Sequence, residues 1–141
     1  LIPENGLSEA CGIKMDPRTK GPLVDESYLT SVDGIFACGN VLHVHDLVDF
    51  VTEESRKAGR AVAKYLDNQL SKEKQSIKLV PGDGIGYIVP QTVNPSNIED
   101  SFELFLRVKQ EYKDVNFVVK SGENIIKTLR KKLLWGADQR N

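Results

Sequence analysis

The chain has 141 residues, 40% of them hydrophobic and 28% charged, with 19 Lys and Arg against 20 Asp and Glu. That balance excludes wholesale disorder, and a net charge of -1 excludes bulk attraction to nucleic acid or an acidic membrane. No apolar run reaches the roughly 18 residues of a membrane-crossing helix, and the two cysteines, in apolar surroundings, suit a reducing, cytoplasmic compartment with free thiols.

Residues 1–29 alternate short apolar pieces with turn formers. The run 17–22 predicts a turn between 12–15 and 23–25, hence a short hairpin. Next comes TSVDGIFACGN at 30–40: a threonine at a turn, a four-residue apolar strand at 35–38, then Gly39 and Asn40. Cys38 in that strand reads as a small core residue. Gly39 lets the backbone pass close to a ligand, and the Asn40 amide can donate and accept.

Helical spacing of Val51, Ala58, Ala61, Val62, Tyr65 and Leu66 predicts an amphipathic helix over 46–66. Asp46 or Asp49 is the expected N-cap, with Glu53 and Glu54 near the positive end of the helix dipole. The loop before it reads Leu42-His43-Val44-His45-Asp46. Two imidazoles with Asp46 and Asp49 have the chemistry of a zinc or iron site. Their place in a loop, where His43 and His45 need not point the same way, favours structural roles, and no residue is assigned to a metal.

Residues 67–76 are polar, and 71–76 are read as a linker between a first unit, 1–70, and a second, 77–141. Beyond it the hydrophobic period shortens to two, predicting strands at 77–80, 87–93, 102–109, 115–120 and 125–134. Phe102, Leu104, Leu106 and Val108 would share one face. Turns are expected at 94–97, 112–114 and 121–124. The glycines of 81–86 resemble a phosphate loop, but a strand rather than a helix should follow, so they read as a hairpin turn. Lys127, Arg130, Lys131 and Lys132 read as the solvated face of a strand, and Trp135 as an anchor before a frayed tail at 136–141. The expectation for this half is a small antiparallel β sandwich-like module.

The TSVDGIFACGN stretch and the helix behind it resemble the second flavin-contacting motif of the FAD-dependent pyridine nucleotide-disulfide oxidoreductases, the thioredoxin reductase-like flavoproteins. The resemblance covers 1–66 and departs from the family at Asn40, where aspartate is usual. It implies an α+β chain: a fragment of a Rossmann-like FAD domain (short hairpin, motif strand, helix), then the β module. It implies FAD contacts at Gly39, Asn40, Val41, Asp49 and Phe50, with His43 or His45 near the ring. The parent enzyme would use FAD and NAD(P)H. Neither a GxGxxG unit nor a CxxC pair is present, since Cys11 and Cys38 lie far apart, and the chain opens at Leu1. The expectation is therefore a carboxyl-terminal fragment, inactive alone, whose partner is the missing amino-terminal portion. The alternative is a noncatalytic β module for dimerisation or for docking a partner subunit.

Overall fold

A computed structural model describes residues 2–71 and 75–134; the predicted anchor Trp135, the tail 136–141 and residues 72–74 of the linker lie outside them. The protein is α+β, with few helices and small antiparallel sheets. Its elements are helix α1 (Gly6–Ala10), helix α2 (Val48–Leu66), and strands β1 (Ile77–Lys78), β2 (Ile85–Val89), β3 (Thr92–Val93), β4 (Phe105–Val108), β5 (Tyr112–Ser121) and β6 (Asn124–Leu134). The strands pair as β1 with β3, β2 with β4 and β5 with β6, all antiparallel.

The first forty residues are held by turns more than by ladders. Isolated bridges join Met15 to Pro22, Val24 to Thr30 and Leu29 to Phe36. The first of these closes the hairpin expected around 17–22. The threonine turn is also present: Thr30 N–H donates to Ile35 O, and Thr30 Oγ1 accepts from Val32 N–H. The expected motif strand at 35–38 is not a strand, because its backbone finds one bridge partner and no ladder. Without a parallel strand pair among the described residues, the structure gives no support for a Rossmann FAD domain.

Helix α2 forms as the spacing predicted, with one change at its start. Leu47 is the N-cap and gives no side-chain capping bond, whereas Asp49 lies in the first turn. Its buried face carries Glu54, Ala58 and Ala61, one residue per turn of the helix.

Residues on both sides of 67–76 share one core, in which Val24, Tyr28, Ala37, Leu42, Ala58 and Val89 cluster. Gln91 ties the two sides together: its Oε1 accepts from Val24 N–H at 2.9 Å and its Nε2 donates to Asp16 Oδ2 at 3.1 Å. Pro90 has no N–H and separates β2 from β3 within the single strand expected at 87–93. The glycine cluster at 81–86 is indeed followed by a strand. It does not close a hairpin, however, because β1 pairs with β3 and β2 with β4.

The expected face of Phe102, Leu104, Leu106 and Val108 is only partly formed. Phe102 is exposed, Val108 is buried, and Phe105 from the opposite alternation packs on the core. A register shift between Ile85 and Tyr87, opposite β4, accompanies this change of face. The turn expected at 112–114 is absorbed into β5, whereas Gly122, at φ 58°, makes the expected β5–β6 turn.

Candidate functional site

The loop 39–47 and the buried face of α2 bring His43, His45 and Glu54 together. Gly39 starts this loop at φ 72°, a conformation that favours glycine, and a β-carbon there would lie 3.3 Å from Val51 Cγ1. A second glycine sets how deep the loop sits: a β-carbon on Gly21 would fall 2.0 Å from Leu42 O and 2.7 Å from Val41 O. Asn5 Nδ2 adds a strap, donating to both Lys20 O and Val41 O at 2.9 Å. The loop is thus pressed onto the protein, and Leu42 and His43 become fully buried.

Both imidazoles aim at one carboxylate oxygen. His43 Nε2 lies 2.8 Å and His45 Nε2 3.1 Å from Glu54 Oε2, and the side chains of all three are 0–2% exposed. Glu54 Oε1 accepts from Gly39 N–H. Burial pushes the Glu54 carboxyl up, but the hydrogen bonds from His43 and His45 and their charge outweigh it and hold it at about 2. The group is therefore a carboxylate at neutral pH. The two imidazole centroids are 4.2 Å apart, and Phe105 and Tyr87 stand 5.3 Å and 6.2 Å from that of His43. Asp46 and Asp49, the carboxylates considered with the histidines in sequence, are exposed instead. Asp46 Oδ1 pairs with Arg107 at 3.4 Å.

Glu54 is the residue that sequence reasoning missed. Its signal was its helical phase: it falls on the same stripe as Val51, Ala58 and Ala61, where a carboxylate must find partners.

Of the other residues singled out in sequence, Gly39, Asn40 and Val41 hold the loop in place, whereas Asp49 and Phe50 belong to the start of α2. Gly39 N–H is taken by Glu54, and Asn40 Oδ1 accepts from His45 N–H at 3.1 Å. Val41 O accepts from Asn5. Asp49 is exposed in the first turn of α2, and Phe50 N–H donates to Leu47 O at 3.2 Å.

A cleft of about 360 Å³ lies beside α2 and reaches Ala61 on its buried face. Its floor includes Tyr28, Val89 and Phe105, and Lys57, Arg60 and Lys64 line one wall. Lys57 is paired with Glu103 and Glu53, and Lys64 with Glu99. Arg60 is exposed and makes no ion pair among the described residues. Asp25 lies across the cleft with its carboxyl pushed up to about 6. Burial is the main cause and the Glu26 charge adds to it, against backbone hydrogen bonds from Ser27 and Leu29. Burial also pushes the Tyr28 hydroxyl well above its usual range.

No family model matches the chain, and no solved structure matches it. The sequence is 38% identical over 71 residues to an NAD kinase of Christiangramia forsetii. That stretch is half of this chain and 24% of the relative, so the chain spans about a quarter of the relative's length. Along that stretch the chain is similar to an enzyme, and the enzyme is a kinase.

This likeness overturns the resemblance to FAD-dependent pyridine nucleotide-disulfide oxidoreductases. The reading as a fragment of an oxidoreductase, a flavoprotein completing an FAD pocket, is corrected with it. The physical reason lies at 35–40. There the resemblance rested on a strand, which does not form, and on Gly39 and Asn40, whose polar atoms serve the loop itself. The alternative of a noncatalytic β module gains no support. Among the described residues, no helix is long and apolar enough to cross a membrane.

Proposed function

We propose that the chain is a segment of an enzyme that phosphorylates NAD. The observation that carries this reading is the 38% identity over 71 residues to an NAD kinase. The cleft beside α2 supports it with suitable chemistry. Arg60, Lys57 and Lys64 offer cationic donors for a pyrophosphate, and Tyr28, Phe105 and Val89 offer aromatic and apolar surface for a ring. Arg60 is the residue expected to bind, because its guanidinium has no carboxylate to displace and matches phosphate oxygens with two donors.

Calorimetric titration of the full chain with NAD tests the reading, together with an assay for phosphorylated NAD in the presence of ATP and Mg²⁺. Saturable binding that weakens on the order of 10-fold in Arg60→Gln, about 1.4 kcal/mol, is the expected result. Absence of both NAD binding and phosphorylated NAD would overturn it.

A further inference from the structure

We propose that His43 Nε2, His45 Nε2 and Glu54 Oε2 form a binding site for one divalent transition-metal cation of the zinc class. Each residue offers one ligand atom, and the three atoms lie within 4.8 Å of one another in a buried setting. The two nitrogen–oxygen separations, 2.8 Å and 3.1 Å, are close to the roughly 3.3 Å edge between donors around a tetrahedral zinc with bonds near 2.0–2.1 Å. Admitting the ion would widen these two separations by a few tenths of an ångström.

The donor set is chemically selective. Two imidazoles and one carboxylate suit zinc and its first-row neighbours, and offer little to calcium or magnesium, which prefer all-oxygen shells. The support around the ligands is of the kind metal sites need. Gly39 N–H holds the other carboxylate oxygen, which leaves Oε2 turned toward the imidazoles. Asn40 Oδ1 fixes the backbone of His45. Tyr87 and Phe105 cover the rings and limit access of water. With three protein ligands, a four-coordinate ion keeps one position for water or another small ligand. None of the three ligands lines the cleft beside α2, although Phe105 borders both, and the metal site does not depend on the NAD reading.

The test is a titration of the full chain, stripped of metal by a chelator, with Co²⁺ and then Zn²⁺. Binding is followed by visible cobalt absorption and by calorimetry. The expected result is one equivalent of Co²⁺ with the intense visible bands of a four-coordinate ion, displaced by Zn²⁺. Glu54→Gln is expected to weaken binding by more than the roughly 100-fold that loss of an outer-shell partner costs. A Cys11→Ser/Cys38→Ser variant should bind as before.

A second measurement needs no variant. Zn²⁺ should raise the thermal midpoint of the unaltered chain in proportion to the logarithm of its concentration, and should move the Nε2 resonances of both histidines in nitrogen NMR. No saturable uptake of either ion at about 100 µM would overturn the proposal, because no useful stabilisation follows at that occupancy. Binding that disappears in the double cysteine variant and persists in Glu54→Gln would overturn it equally.

Discussion

Around Glu54 the chain is held by buried polar groups that satisfy one another, whereas the β5–β6 hairpin is held almost entirely by backbone pairing. In the first region, segments from 5 to 105 converge on one loop: Asn5 straps it, Gly21 admits it, and Phe105 covers it. In the second, the ladder runs from Tyr112 opposite Leu134 to Ser121 opposite Asn124, and Leu134 is its one buried residue. Ile125 and Ile126 are 62% and 67% exposed. The difference teaches where single substitutions should matter. A buried carboxylate and its partners form an interdependent unit, while an exposed two-stranded ladder spreads its stability thinly over many equivalent positions.

The largest effect is expected at the centre of the first region. Glu54→Ala removes the anion that two buried imidazoles and the Gly39 N–H share, and should destabilise the chain by about 3–5 kcal/mol in urea unfolding. A loss under about 1 kcal/mol would place this unit on a par with the hairpin and break the comparison.

Next is Gly21→Ala. Its new methyl group would fall against the backbone carbonyls of Val41 and Leu42, which cannot give way as a flexible side chain can. The loop must lift, so a loss of about 1–3 kcal/mol is expected, with increased hydrogen exchange at His43 and His45.

A smaller effect, of opposite sign, is expected at Asp25. Its carboxyl is raised from 3.8 to about 6, so folding favours the protonated form. That contribution is fully present below about pH 3.8 and is lost as pH rises through about 6. Asp25→Asn keeps an oxygen for the Ser27 and Leu29 N–H groups. After allowance for solvent screening, it should be more stable than the parent by about 1 kcal/mol at pH 8, with the difference gone near pH 4. A pH-independent difference would show that Asp25 does not titrate as described.

The smallest change belongs to the hairpin. Ile126→Thr, on an exposed strand position, should shift stability by no more than about 0.5 kcal/mol. A larger loss would mean that the hairpin face is covered in solution.

The sequence by itself determined the local elements. The 3.6-residue spacing of Val51, Ala58 and Ala61 specified α2, and alternation with a Ser-Gly-Glu-Asn turn specified β5 and β6, because these signals depend only on near neighbours. It also held both histidines of the candidate metal site, two residues apart. Tertiary structure decided which carboxylate joins them. Asp46 and Asp49 are nearer in sequence but face solvent, while Glu54 comes round on the buried side of the helix. Tertiary structure also withheld a ladder from 35–38, since a strand needs a partner and sequence spacing cannot supply one. Pairing of β1 with β3 and β2 with β4, the packing of Phe105 on His43, and the cleft beside α2 were settled in the same way. Each depends on residues far apart in the chain, whose approach is set by the closing of the whole core.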